Sequence, residues 1–313
     1  MEPIRTAVIG VGYLGKFHAQ KYTQLANSRL VAVCDNNAQT ATDIANELGT
    51  RAVTEFAAIR DEIDAVSIVV PTQMHHAMAR ECLAAGKHVL LEKPMTTTVA
   101  EARELVQLAH DNQCVLQIGH LERFNPAVLA LDNVMHEPMF IESHRVAPFN
   151  PRGADVNVIL DLMIHDIDII LDMVKSPVTN ISAKGVAVLS RDIDIANARI
   201  EFESGCVANV TASRAGMKSE RKMRLFQHDA YISIDFQNKK LGVHRKGEKE
   251  TYPGIASIES EEQTFDQGDA LMAEIESFLN CIQHNSQPKV SGEDGMRALE
   301  TAIEITRLLS AQP

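Results

Sequence analysis

No run of apolar residues in this chain approaches the roughly 18 needed for a helix to cross a bilayer, so a membrane-spanning role is not expected. The opening residues, MEPIRTAVIG, pass straight into an apolar run. They leave no room for a basic segment followed by an apolar one, so no signal peptide is predicted and a cytoplasmic protein is expected. Cysteine is scarce. The five, Cys34, Cys82, Cys114, Cys206 and Cys281, are odd in number and include no CxxC pair. A zinc site or a disulfide framework is therefore not predicted; free thiols serving as small core residues fit better. Positive charge is also short. Thirty Lys and Arg face 42 Asp and Glu, a net charge of −12, which argues against nucleic acid as a partner. An anionic small molecule is still open, because a local basic cluster overrides the average. Lys218, Arg221, Lys222 and Arg224 form one such cluster, and Arg145 with Arg152 another; the plain alternative for each is a solvated charged face. Internal repeats and low-complexity stretches are missing as well.

What is present is an ordinary globular composition, 45% hydrophobic and 23% charged over 313 residues, enough for two domains. Up to about residue 118, short apolar runs alternate with helical segments. The runs are 4–10, 29–34, 64–70, 87–91 and 114–118; the helices are 14–26, 37–48, 73–86 and 98–112. Such alternation predicts βαβ units around a parallel sheet, an α/β Rossmann-type domain. Beyond it, 124–136 and 158–174 read as helices. Between 181 and 246 strands follow one another directly, with Glu203-Ser204-Gly205 as a hairpin turn. That predicts a second, α+β domain with a mostly antiparallel sheet. Amphipathic helices at 268–284 and 292–311 close the chain, and the Glu-rich stretch 247–267 reads as a mobile loop. The expected division is 1–119 for dinucleotide binding and 120–313 for substrate binding and oligomerisation, with the closing helices able to pack back on the first domain.

Gly10-Val11-Gly12-Tyr13-Leu14-Gly15 matches GxGxxG. The pattern alone is weak, but here it follows a strand and opens a helix within a βαβ unit. The first glycine permits the turn, the second lets the backbone approach a pyrophosphate, and the third allows helix and strand to pack closely. The helix N-terminus adds free N–H groups and a positive dipole end. Asp35, at the end of the second apolar run, is placed to accept hydrogen bonds from ribose hydroxyls and to repel a 2′-phosphate; its neighbours Asn36 and Asn37 carry no positive charge. NAD is therefore expected over NADP. The competing reading makes Asp35 an N-cap.

Rossmann strands deliver ligands to their carboxyl ends. There lie Pro71-Thr72 with His75, then Glu92-Lys93-Pro94, then Gly119-His120. Lys93 ends a buried strand just before a proline. A lysine so placed can hydrogen-bond a substrate hydroxyl and, if desolvated, titrate near neutrality. An X-Pro bond can also be cis, and the alternative is a surface lysine in a turn. Asp161 and His165 are spaced i, i+4 and share a helix face. Oxidation of an alcohol needs a group to take the hydroxyl proton, and histidine suits it; a satisfied buried histidine is the alternative. Asp166 and Asp168 follow, without zinc-ligand spacing, so no metal is predicted.

Taken together, these motifs resemble the Gfo/Idh/MocA family of sugar and inositol oxidoreductases. The resemblance runs through the glycine loop, Val70-Pro71-Thr72-Gln73-Met74-His75, Ala85-Gly86-Lys87-His88-Val89 leading to Glu92-Lys93-Pro94, and Asp161 with His165. It implies that Lys93 orients the substrate hydroxyl, His165 is the general base and Asp161 positions one or the other. It implies cofactor contacts from Gly10, Gly12, Tyr13, Leu14, Gly15, Asp35, Pro71, Thr72, His75, Glu92, Lys93 and Pro94, with Pro94 often cis, and a homodimer or homotetramer. At position 72 the family usually has asparagine and this chain has threonine. A narrower likeness rests on Gly119 to Pro126, His144 to Phe149, Asp161 to Asp168 and Ala196 to Arg199. It is to a subgroup that oxidises C3 of UDP-N-acetylglucosamine, whose keto sugar is later aminated for lipid A. Arg123, Arg145, Arg152 and Arg214 would then hold the diphosphate, and His120 and Asn125 the sugar or its amide. Two rivals stand beside this: a dehydrogenase of free inositol or a simple sugar, with no use for those arginines, and a non-catalytic NAD-binding sensor.

Overall fold

A computed structural model describes residues 2–150, 156–265 and 268–310. The chain divides into two units, Met1–Leu121 with Asp269–Leu299, and Glu122–Gly268 with Glu300–Pro313.

In the first unit, strands β1 (Ile4–Ile9), β2 (Ser28–Cys34), β3 (Arg51–Val53), β4 (Ala65–Ile68), β5 (His88–Glu92) and β6 (Leu116–Gly119) form one parallel sheet ordered β3-β2-β1-β4-β5-β6. Helices α1 (Tyr13–Gln24), α2 (Ala38–Leu48), α3 (His75–Ala84) and α4 (Val99–Asp111) connect the strands, as the alternating pattern predicts. All four residues of β4 are buried, the mark of a strand covered on both faces. The strand order reverses between β1 and β4, which is where such sheets open a crevice for ligands. Most of residues 120–313 form the second unit, and the closing helices divide between the two units. Helices α5 (Pro126–Leu129) and α6 (Ile164–Val174) do lie beyond the boundary, but α7 (Ala270–His284) belongs with the Rossmann sheet. The cause is apolar: Ile275, Phe278 and Leu279 are buried in one cluster with Val8, Val33 and Leu90. The unit boundary at Leu299 falls inside α8 (Gly292–Ser310).

In the second unit, β7 (Phe140–Val146), β8 (Val178–Val186), β9 (Ile195–Phe202), β10 (Val207–Ser213), β11 (Glu220–Phe226), β12 (Ala230–Asp235), β13 (Lys240–Tyr252) and β14 (Ile255–Thr264) form a sheet ordered β14-β13-β12-β11-β7-β10-β9-β8. Every neighbouring pair is antiparallel except β7 with β10. Burial alternates along β9, β10 and β12, so one face is covered. Helix α6 packs on β7 and β10 and buries Ile164, Ile167, Ile170 and Leu171. Gly205 adopts a φ of 86° in the β9–β10 hairpin, which suits glycine.

Two expected segments differ. The stretch 247–267 is a hairpin of β13 and β14 through Gly254, at φ 79°, rather than a loop; residues 266–267 lie outside the described residues. Most of β14 is exposed, so no apolar alternation marked it; its pairing with β13 rests on the backbone ladder. The helix expected over 124–136 is reduced to α5, flanked by single 3-10 turns. No helix among the described residues is long and apolar enough to cross a membrane.

Candidate active site

The glycine loop is fixed by its own backbone. Gly10, at φ +84°, donates its N–H to Cys34 O, and a Cβ there would fall 2.5 Å from Val69 O. A Cβ on Gly15 would fall 1.8 Å from Gly10 O. Gly12 differs: a Cβ there meets nothing within 4 Å. The backbone at Gly12 therefore faces open space, the cradle a pyrophosphate requires. Helix α1 starts at Tyr13 with no capping side chain and no acidic residue in its first turn, so the positive end of its dipole suits an anion. Tyr13 and Leu14 are exposed, with Tyr13 edge-on to Phe17.

Asp35 is not an N-cap. Asn37 caps α2, accepting from the N–H groups of Gln39 and Thr40. The Asp35 carboxylate instead accepts from the Val11 N–H (2.9 Å) and the Asn37 N–H (2.9 Å), tying the glycine loop to the end of β2. It lines a pocket of about 480 Å³ with Gly10, Gly12, Phe56, Val70, Pro71 and Met74. The charged groups in that lining are Asp35, Glu55 and Glu81; no Lys or Arg is among them. A ribose diol suits such a wall and a 2′-phosphate does not. The residues present thus fit NAD.

At the far side of the switch point, Thr72 opens a 3-10 turn, Thr72–Met74, and is half-buried. His75 is fully buried, so its side chain is a brace rather than an exposed cofactor contact. Its ring nitrogens lie 2.9 Å from Pro94 O and 2.9 Å from Val70 O, joining the end of β4 to the Lys93–Pro94 turn. Burial lowers its pKa, against the raising pull of those carbonyls. The Lys93–Pro94 bond is cis, and Lys93 is half-buried after the buried run of β5. The Glu92 carboxylate turns inward: it lies 3.1 Å from His18 Nε2 and accepts from the Lys93 N–H at 3.2 Å. His120 follows β6 and is buried.

In the second unit, Asp161 sits in a π-helical turn, Ile159–Met163, that runs into α6, where His165 is the second residue. The Asn157 side chain starts this turn by accepting from the N–H groups of Ile159 and Leu160. Met163, Ile164, Asp166 and Ile167 are buried, whereas Asp161 and His165 are half-buried. The pair therefore occupies an accessible edge of an otherwise buried segment, and π-turns recur at functional sites.

Three of the four arginines expected to hold a diphosphate are engaged in ion pairs. Arg145 is 2% exposed; it donates to both Asp166 oxygens (2.8 and 3.1 Å) and to Glu122 Oε1 (2.9 Å), and lies over Phe236. Burial opposes its charge, but Asp166 and Glu122 outweigh that and raise its pKa. Arg123 pairs with Asp168 and Asp172, and Arg214 with Asp194, Ser190 and Val156 O. Asn125 caps α5 and donates to Phe236 O. Arg152 lies outside the described residues. Sequence reasoning missed these counter-charges because Asp166, Asp168 and Asp172 find their partners only in three dimensions. The surplus of acid on one short helix was the available signal.

Two family models match. One, described as the oxidoreductase family with an NAD-binding Rossmann fold, covers residues 4–120; the other, the GFO/IDH/MocA C-terminal domain, covers 138–233. The chain is 42% identical to UDP-N-acetylglucosamine 3-dehydrogenase of Acidithiobacillus ferrooxidans over 96% of either chain. The solved structure of that enzyme matches with a TM-score of 0.94 over 99% of both chains at 41% identity. A scyllo-inositol 2-dehydrogenase (NAD(+)) of Bacillus subtilis is 25% identical over 97% of this chain and 93% of its own.

Proposed function

The chain belongs to the Gfo/Idh/MocA oxidoreductase family, and from that premise we propose that it oxidises the C3 hydroxyl of UDP-N-acetylglucosamine to a ketone with NAD. The observation that carries the substrate is the 42% identity to an enzyme of that name, sustained along 96% of both chains, against 25% for an inositol dehydrogenase. NAD, when bound, accepts the hydride that leaves C3. Lys93 donates a hydrogen bond to the C3 oxygen and holds the hydroxyl in line. His165 takes the hydroxyl proton as the C–O double bond forms, since an imidazole titrates near about 6.5 and accepts a proton at neutral pH. Asp161 orients the imidazole or the sugar. The acidic lining around Asp35 supports NAD over NADP.

A free inositol or simple sugar is the second reading. One observation favours it: Arg123, Arg145 and Arg214 are buried in ion pairs, which removes three of the expected diphosphate contacts. The sensor reading gains nothing, because Lys93, Asp161 and His165 are all present. We place the enzyme in the cytoplasm as a homodimer or homotetramer, its keto sugar passing to an amination that serves lipid A. Five free cysteines suit that compartment. The test is a panel of UDP-sugars and inositols with NAD or NADP, followed by absorbance of the reduced cofactor. Signal with UDP-N-acetylglucosamine and NAD is expected; signal with an inositol alone would overturn the proposal.

A further inference from the structure

Behind the Lys93 turn, the first unit buries polar atoms that its secondary structure does not use. Glu274, on α7, is fully buried, and neither carboxyl oxygen has a hydrogen-bond partner among the described residues. Gln117, on β6, donates its amide to the Glu274 backbone carbonyl (3.0 Å) and leaves its own Oε1 unpaired. His18, on α1, places Nε2 3.1 Å from Glu92 and leaves Nδ1 unpaired. Buried polar groups in folded proteins are nearly always satisfied, so four orphaned atoms in one unit point to something that the side chains alone do not provide. Glu92 and Tyr22 interact electrostatically with Glu274, and His18 and His75 with Glu92. None of these brings a fixed positive charge. A lone buried carboxylate in such surroundings takes up a proton rather than stay ionised. Burial first, and repulsion from Glu92 second, raise the Glu274 pKa well above the carboxylate range.

We propose that Glu274 is held as a neutral, protonated acid behind the Lys93 turn, and that it is thereby a positioning residue for Lys93. Protonated, Glu274 places no negative charge against Glu92. Glu92 is then held between His18 and the Lys93 amide, fixing the turn from which the lysine projects. Ordered water reaching Glu274, Gln117 Oε1 and His18 Nδ1 would complete their hydrogen bonds. The kinetic consequence rests on the reading of Lys93 as catalytic; the proton on Glu274 does not.

The test is infrared difference spectroscopy on the full-length protein, wild type against Glu274→Gln, near neutral pH. A carboxylic-acid C=O band present in wild type and absent from the variant is expected; no such band would overturn the proposal. Kinetics with UDP-N-acetylglucosamine and NAD test the positioning role. Glu274→Leu, which cannot hydrogen-bond, is expected to lower kcat about tenfold with KM little changed, and Glu274→Gln, a neutral donor of the same shape, to restore it. Equal kcat in the leucine variant and wild type would overturn the positioning role, as would a glutamine variant no better than leucine. Should Glu274→Leu not fold, the infrared band still decides on the proton. Should wild type turn over no sugar, the proposed function fails and the band again stands on its own.

Discussion

Replacing Arg145 by methionine separates a substrate contact from a structural clamp. The guanidinium is 2% exposed and satisfies Asp166 and Glu122 together. Methionine fills much of the same volume but leaves Asp166 charged, buried and without that partner. Glu122 keeps Arg221 at 3.3 Å, so Asp166 bears most of the loss. Breaking a buried ion pair from one side costs about 3–5 kcal/mol. Against a total of about 5–15 kcal/mol, that is about a fifth or more of the stability. It corresponds to a fall in Tm on the order of 10 °C for a domain of this size. Urea and thermal unfolding followed by circular dichroism would measure it, with KM for the sugar nucleotide measured in parallel. Adding Asp166→Leu should recover part of the loss, because the stranded charge goes with it. Because Asp166 adjoins His165 on α6, kcat should fall with stability. A variant within about 0.5 kcal/mol of wild type but with KM raised steeply would refute this reasoning and return Arg145 to the substrate.

Four further outcomes follow from the geometry. Gly15→Ala should unfold or fail to express, since its Cβ would meet Gly10 O at 1.8 Å. Gly12→Ala should fold normally and lose NAD affinity, checked by calorimetric titration. Glu274 should make stability fall with rising pH. Its unfolded pKa is near 4.5 and its folded pKa lies well above, so over that window the folded state holds a proton that the unfolded state has released. The slope is about 1.4 kcal/mol per pH unit, and Glu274→Gln should lack it; parallel urea midpoints for the two proteins between about pH 5 and 8 would contradict this. Lys93→Met should lose most turnover even with NAD saturating; a near-wild-type rate would remove Lys93 from the chemistry.

The cofactor half was legible because its signals are local. A glycine loop between an apolar run and a helix announces itself within a few residues, and Asp35 sits at a spacing set by one βαβ unit. The parallel and antiparallel sheets followed from whether helices separate the apolar runs. What escaped depends on partners far along the chain. Arg145 reads as a free cation until Glu122 and Asp166 are brought to it. The β13–β14 hairpin hides because its residues are exposed and polar while its hydrogen bonds belong to the backbone. Glu274 left a trace that was passed over: it stands one turn before Phe278 and two before Cys281, on the face of α7 that enters the core. A carboxylate on an apolar stripe is a local inconsistency, and such inconsistencies gather at sites with a function.

The central claim, removal of hydride from C3 of a nucleotide sugar, is tested most directly with UDP-N-acetylglucosamine carrying deuterium at C3. The account predicts that the deuterium appears in the reduced NAD while the sugar becomes a 3-ketone, both read by mass spectrometry. Reduced NAD without the label, or label retained in unreacted sugar while an inositol is oxidised, would contradict it.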